Sequence, residues 1–311
     1  MKRKRECNVK PLLKWVGGKT QLLDKLTVHF PHTIDNYHEI FVGGGSVLLS
    51  VLSLMQEGQL TIGRVYAYDA NEGLIYFYKN IQNNKDKLYR LMNQYLETYN
   101  SIERLTICVD DVEPSERKKR LRELRKVTKE TTTSREAYYY GLRHEFNQLD
   151  KKSVEYSALF YVLNKLCFRG LFRESSSGFN VPFGHYKNIG TVSMETMDGI
   201  HALIADVVFS CCDFRESISR TKKGDFMYLD PPYVPEKASS FVGYTEGGFN
   251  RHEELFECIK KQSVQFVLSN SNAETVLKAF AEYGIDEVEA KRAINSKNPE
   301  AKTKELIVYN V

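Results

Sequence analysis

Two patterns of hydrophobic and polar positions alternate along this chain. In the first third, short apolar runs are separated by glycine turns. Gln21–Phe30 reads as a helix after a Gly-Gly turn, and Glu39–Val42 as a short strand running into Gly43-Gly44-Gly45. Ser46–Gln56 has the spacing of an apolar helix, and Arg64–Tyr68 reads as a strand ending at Asp69. Strand, glycine turn, helix, strand and acid together form the grammar of a nucleotide-binding βαβ unit. Residues 79–170 differ, being rich in Lys, Arg, Glu, Leu and Tyr at helical spacing with few glycines. Helices are expected at Asp86–Tyr99, Glu116–Lys129 and Tyr156–Cys167, followed by a Gly/Ser/Asn loop or hairpin over 170–190. Four β-rich runs then return, at Val207–Ser210, Phe226–Leu229, Gln265–Ser269 and Leu306–Asn310, with helices expected at His252–Gln262 and Ala273–Tyr283. The pattern predicts an α/β domain interrupted by an inserted, mainly helical segment.

Composition narrows this little: 311 residues, 42% hydrophobic and 27% charged, is ordinary globular chemistry that excludes wholesale disorder. The longest nearly apolar stretch, around Val47–Met55, is far short of the ~18 residues a membrane helix needs. No apolar signal core follows the charged N-terminus, so an intracellular protein is expected. The six cysteines form no C-x-x-C pair, which argues against a disulfide framework or zinc ribbon, and the histidines form no convincing ligand set, so no metal is expected. Net charge is only +4, but residues 113–129 carry eight Lys/Arg against three Glu. That run is either a solvated helix face or a basic patch for nucleic acid.

Gly17-Gly18-Lys19-Thr20 suggests a phosphate loop, but Leu13 stands where G-x-x-x-x-G-K-T needs its first glycine, so a Walker-type NTPase is rejected. The Gly43-Gly44-Gly45 turn is a better ligand site, since glycines admit a close approach and a helix N-terminus favours an anionic group. Asp69 could accept hydrogen bonds from ribose hydroxyls or simply cap a helix. The sharpest signal is Asp230-Pro231-Pro232-Tyr233 after the run Phe226–Leu229. Two prolines remove amide donors, leaving carbonyls and a carboxylate as acceptors beside an aromatic ring. That suits a substrate with an NH2 group on a flat ring.

Five motifs occur in one order: Lys14-Trp15-Val16-Gly17-Gly18-Lys19, Phe41-Val42-Gly43-Gly44-Gly45-Ser46, Tyr68-Asp69-Ala70-Asn71, Phe179-Asn180-Val181-Pro182-Phe183-Gly184 and Asp230-Pro231-Pro232-Tyr233. The combination resembles the Dam-type DNA N6-adenine methyltransferases over about residues 11–311. The resemblance implies a Rossmann-like, S-adenosyl-L-methionine-dependent sheet over residues 1–78 and 197–311, with a target-recognition domain over 79–196. Asp230, Pro231, Pro232 and Tyr233 would be catalytic; Trp15, Lys19, Phe41, Gly43, Gly45, Asp69, Asp213, Phe214 and Asp230 would hold the cofactor. Lys14, Phe168, Arg169, Leu171, Arg173, Pro182, His185 and Lys187 would contact double-stranded DNA.

The implied reaction is methylation of adenine N6 in a short duplex site by base flipping, as in solitary or restriction–modification enzymes. No membrane or obligate protein partner is expected, and the location would be cytoplasmic or nucleoid-associated. Three departures from the family pattern stand out: Ile40 replaces a proline and should loosen the glycine turn, Arg169 replaces an asparagine, and His185 an arginine. The last two leave CATG or GTAC open beside GATC. An RNA-adenine or protein-amide methyltransferase, or a nonenzymatic DNA-binding relative, is the rival reading.

Overall fold

The computed structural model describes residues 9–102, 134–235, 249–291 and 302–311; the basic run 113–129 and its expected helix lie outside them. The chain divides into two units, one of residues 1–11, 17–75 and 202–311, the other of residues 12–16 and 76–201.

The first unit is built on a seven-stranded sheet in the order β5-β2-β1-β6-β7-β9-β8. Its strands are β1 (Thr33–Glu39), β2 (Thr61–Asp69), β5 (Val208–Cys211), β6 (Phe226–Leu229), β7 (Gln265–Ser271), β8 (Gly284–Lys291) and β9 (Lys302–Tyr309). The β5-β2-β1-β6-β7 portion is parallel, and β9 and β8 close it antiparallel. All four residues of β6 are buried, as befits a strand covered on both faces. Helix α1 is Leu23–Thr27 and α2 is Ser46–Gln56, and the latter buries seven of its eleven residues. Leu229, Leu255, Phe266, Leu268, Phe280 and Leu306 share one apolar cluster of this unit. Strand order reverses about β1, with β2 on one side and β6 on the other. In open α/β sheets such a switch point opens a crevice at the carboxyl ends of the strands.

Three expectations need correction. The strand expected at Glu39–Val42 is Thr33–Glu39 instead, and Ile40–Val42 already belong to the turn. Its polar residues are buried because neighbouring segments satisfy them: His38 bonds Tyr68 on β2 and Asp225 just before β6. Helix α1 is shorter than Gln21–Phe30. The helix expected over Ala273–Tyr283 stops at Ala279, and the chain then enters β8, an unforeseen strand.

In the second unit lie α4 (Lys85–Ser101), α5 (Arg135–Phe146) and α6 (Val154–Leu166), with a two-stranded hairpin of β3 (Glu174–Ser175) and β4 (Gly178–Phe179). Helix α3 (Glu72–Asn83) and α7 (Met194–Ile204) run across the unit boundaries. Ser134 and Ser153 cap α5 and α6 by accepting from the amides of Ala137 and Tyr156. Two loop residues and one on the short hairpin find their partners in asparagine side chains, whose amide matches a peptide's donor and acceptor. Asn93 brackets Val192, Asn100 brackets Ile189, and Asn147 brackets Phe179, each binding both the N–H and the C=O. This is how a loop poor in secondary structure keeps its backbone groups satisfied.

Candidate active site

The site in the first unit grows from the adjacent ends of β1 and β6. Glu39 is in register with Tyr228, so the turn after β1 and Asp230 after β6 leave the sheet side by side. The Ile40 amide donates to the Tyr228 carbonyl at 3.0 Å, and the Val42 amide to the Tyr68 carbonyl at 2.8 Å. The turn is therefore tied to strands on both sides. Proline at position 40 could not make the first bond, so Ile40 does not loosen the turn as expected; it exchanges ring stiffness for a ladder bond. Gly45 ends the turn at φ 76°, a left-handed conformation that glycine adopts without penalty, and α2 begins at the next residue.

Asp69, at the end of β2, accepts from the Gly43 amide at 3.1 Å and the Asn71 amide at 2.9 Å. Burial pushes its carboxyl up and these amides pull it back, with burial the larger influence. The Ala70 amide also bonds this carboxylate, so of its roughly four acceptor sites one remains for a further donor. The Lys19 amide donates to Ser46 Oγ at 3.1 Å, fixing this lysine to the start of α2. Its ammonium donates to the Gly17 carbonyl at 2.6 Å and lies 2.8 Å from Asp230 Oδ1. It also sits 4.9 Å from the centroid of the Tyr233 ring. Burial raises the Asp230 carboxyl above its ordinary range, and Lys19 opposes the rise.

The catalytic-looking turn is gripped from several sides. His252, at the start of a helix (α9, His252–Lys260), bonds the Pro232 carbonyl through Nε2 at 2.9 Å. Burial lowers the His252 pKa, so its neutral ring donates this bond. The Val234 amide donates to Asn270 Oδ1 at 3.0 Å, and Ser271 Oγ donates to the Val234 carbonyl at 2.6 Å. Tyr233 Oη donates to Glu305 Oε2 at 2.8 Å. Among the described residues none donates to the Pro231 carbonyl, which stays available as an acceptor. His252, Asn270, Ser271 and Glu305 were not singled out from the sequence, because each reaches the turn from a distant element.

Asp213 and Phe214 open α8 (Phe214–Ser219). Burial acts to raise the Asp213 carboxyl, but hydrogen bonds from Arg251 and Arg215 prevail and hold it at about 2. Phe214 is buried beside Phe41 and under the Arg251 guanidinium, 4.5 Å from its ring centre. Arg251 is a further residue without a sequence signal.

The second unit gathers the remaining predicted residues. Asn164, on α6, binds the Lys14 amide and carbonyl, each at 2.8 Å, and the Gly170 carbonyl at 3.1 Å. This side chain joins the irregular segment at Lys14 to the loop after α6. Gly170, at φ 67°, packs so closely that a Cβ would fall 2.6 Å from that of Lys14. Trp15 is stacked on Phe160 and Phe172. The Phe168 amide donates to the Pro182 carbonyl at 2.8 Å, and Cys167 bridges Phe183, so the loops bearing Phe168–Leu171 and Pro182–His185 run together. Phe168 is 44% exposed. Arg169 and His185, the two departures from the family pattern, are also the two non-glycine residues with positive φ among those described, at 59° and 57°. Arg173 Nε donates to Asn180 Oδ1 at 2.7 Å, which orients its guanidinium. Lys187 is exposed, and its carbonyl accepts from Arg135. Lys165, not foreseen, is pushed down to about 8 by burial and then by Lys14. Among the described residues no group of His, Cys, Asp and Glu is arranged to hold a metal, and no helix is long and apolar enough to cross a membrane.

Comparison with known proteins agrees with this chemistry. A model of the D12 class N6 adenine-specific DNA methyltransferases matches residues 15–294. The chain is 33% identical to the type II methyltransferase M.MjaIII of Methanocaldococcus jannaschii, over 97% of this chain and 99% of that one. It is 28% identical to the type II methyltransferase M1.LlaDCHI of Lactococcus lactis subsp. cremoris, over 99% and 97% of the two chains. It is 29% identical to a DNA adenine methylase of Haemophilus influenzae, over 96% and 92%.

Proposed function

This chain belongs to the D12 class N6 adenine-specific DNA methyltransferase family, and on that premise we propose that it methylates adenine N6 within a short duplex site, using S-adenosyl-L-methionine and a flipped-out base. It is an adenine-specific DNA methyltransferase, so the RNA-adenine, protein-amide and nonenzymatic readings fall away. GATC is the leading site, with CATG and GTAC as the competitors to be tested.

The observation that carries the reading is the pair of acceptors at the end of β6: the Asp230 carboxylate and the unengaged Pro231 carbonyl, beside the Tyr233 ring. The lone pair of an exocyclic adenine nitrogen is delocalised into the ring, which makes it a poor nucleophile. Two acceptors on its two N–H groups draw the nitrogen toward tetrahedral geometry and localise that pair. Preorganised groups of this kind contribute ~3–4 kcal/mol each. Taking the base out of the duplex costs a few kcal/mol, part of which stacking on Tyr233 offsets.

The residues fit the proposed cofactor. Gly43 and Gly45 carry no side chains into the turn, Asp69 keeps an acceptor site for a ribose hydroxyl, and Phe41, half-buried and backed by Phe214, offers apolar surface. When bound, S-adenosyl-L-methionine supplies a methyl group on a positively charged sulfur. Residues 79–196 are proposed as the DNA-reading domain, with Lys14 joining them through Asn164.

The test is to express the protein in cells lacking adenine methylation and to map N6-methyladenine across their DNA. Methylated adenines in one short sequence are expected. Their absence, with folded protein that binds the cofactor, overturns the proposal.

A further inference from the structure

We infer that Glu305, on the last strand, is a positioning residue for Tyr233, fixing the plane of the ring on which the target adenine stacks. The inference rests on the methyl-transfer reading above and extends it to a residue 72 positions from Tyr233 in sequence.

Consider what holds Tyr233. Before it, two prolines restrict the backbone, and His252 binds the Pro232 carbonyl. After it, Val234 is held at both backbone groups by Asn270 and Ser271 at the end of β7. The freedom left to Tyr233 lies in its two side-chain torsions. Lys19 lies over the ring, but a charge over a ring face does not define where the ring's tip points. The tip donates to Glu305, with the Asp230 carboxylate also in contact with the hydroxyl. Strand β9 pairs antiparallel with β7, and Glu305 stands opposite Ser271, the residue that grips Val234. The two neighbouring strand positions thus hold the two ends of one short segment: Ser271 its main chain, Glu305 its hydroxyl.

The cost of Glu305 supports a functional role. It is 8% exposed, and among the described residues no lysine, arginine or histidine forms an ion pair with it. Its neighbours on the strand, Leu306, Ile307 and Val308, are apolar and almost fully buried. A buried carboxylate without a cation is expensive, and an apolar residue would serve the strand better. What the carboxylate gains is a strong, short bond from a hydroxyl donor. Asp230 lies close enough to feel the Glu305 charge, so the carboxylate is part of the same site.

The experiment uses the full chain and a duplex carrying the sequence that the wild type methylates, with 2-aminopurine at the target adenine. Glu305→Ala is expected to lower kcat/KM about ten- to a hundredfold and to raise 2-aminopurine fluorescence, because the flipped base stacks less well. Cofactor affinity is expected to stay at the wild-type value. Glu305→Gln retains an acceptor oxygen and should restore both readouts to within about threefold. Tyr233→Phe removes the same bond without touching β9, and with it the hydroxyl's contact with Asp230, so it should be at least as impaired as Glu305→Ala; the double variant should be no worse than Tyr233→Phe. Wild-type rates and fluorescence in Glu305→Ala, or in Tyr233→Phe if Glu305→Ala fails to fold, overturn the inference. So does a Glu305→Gln protein as impaired as Glu305→Ala, or losses that multiply in the double variant. A wild type that methylates no adenine overturns the methyl-transfer reading itself, and the role of Glu305 with it.

Discussion

The Lys19 ammonium lies 2.8 Å from Asp230 Oδ1, with Lys19 3% and Asp230 20% exposed. One partner is sealed from water while the other reaches it. Lys19 takes up one lone pair of Oδ1, and the carboxylate keeps acceptor capacity for the adenine amine of the proposed mechanism. The pair also fixes the electrostatics, since a buried ammonium favours the ionised carboxylate that must accept an N–H bond.

Replacing Asp230 tests the acceptor. The carboxylate acts on the reacting amine, so its loss falls on the transition state rather than on the duplex as a whole. Asp230→Ala is expected to lower the single-turnover methylation rate at least about a hundredfold while leaving most DNA binding intact. A rate within about tenfold of wild type would make Asp230 a structural residue.

Lys19 can be separated from Asp230 by pH. Burial raises the Asp230 carboxyl, and Lys19 is the first influence that lowers it. The ionised form is the working one, so the rate rises with pH through this group. Lys19→Gln removes the opposing charge, raises the Asp230 pKa further and moves the ascending limb to higher pH. Single-turnover profiles of the two proteins check this, and an unmoved limb would show that the ion pair does not tune Asp230.

The elements legible in the sequence were those whose signal is local. Ser46–Gln56 and Phe226–Leu229 have the expected bounds, one from its apolar periodicity, the other from a buried run between turn residues. Strand β1 is misplaced because Tyr37, His38 and Glu39 are buried polar residues whose partners, one another, Tyr68 on β2 and Asp225 just before β6, show only in the folded chain. Strand β8, Gly284–Lys291, is an edge strand with charged residues at four of its eight positions and no apolar run to announce it. The Asp230–Tyr233 motif stood out by itself, but Glu305 is an ordinary acid until β9 is paired with β7. The same holds for His252, which reads as a surface histidine until it meets Pro232.

Glu39 should make stability sensitive to alkali. It accepts from the Tyr37 hydroxyl at 2.8 Å and from the Leu48 amide, and burial raises its carboxyl from 4.5 to about 8. A raised carboxyl binds more protons in the folded than in the unfolded chain. Its stabilising contribution is thus present in full below the unfolded pKa and is lost as pH rises through about 8. Thermal unfolding between pH 5 and pH 8 should show a falling Tm in the wild type, by a few degrees, levelling off above pH 8, and a flatter profile in Glu39→Gln. Equal slopes would remove Glu39 from the explanation.

Arg169 carries backbone strain that an asparagine would relieve. At φ 59° and ψ 15° it lies in the left-handed region, which costs most side chains ~1–2 kcal/mol and Asn less. Its guanidinium lies 5.0 Å from the Phe168 ring, a contact that offsets part of this. Arg169→Asn is expected to stabilise the protein by up to ~1 kcal/mol in denaturant unfolding, while altering discrimination among DNA sites. A clear loss of stability would show that the ring contact outweighs the strain.

Arg173 is the strongest candidate for reading a base. Its Nε is held by Asn180 Oδ1 at 2.7 Å, and the Asn180 amide donates back to the Arg173 carbonyl at 3.1 Å. The side chain is exposed, and among the described residues none accepts from Nη1 or Nη2, which suit a partner outside the chain. A guanidinium oriented in advance suits a bidentate contact to guanine O6 and N7, because less rotamer freedom is lost on binding. In that role Arg173→Ala costs ~1–3 kcal/mol of discrimination at a single base pair and little elsewhere. A phosphate contact behaves differently: affinity falls evenly across sequences, and the salt dependence of binding loses about one unit of slope. Binding of Arg173→Ala to the methylated site and to each single-base variant, at two salt concentrations, separates the two. A loss confined to one base pair is expected. An even loss would give Arg173 a backbone-positioning role and make Arg169 the next residue to test, since its strained backbone fixes the direction of its side chain on the same loop.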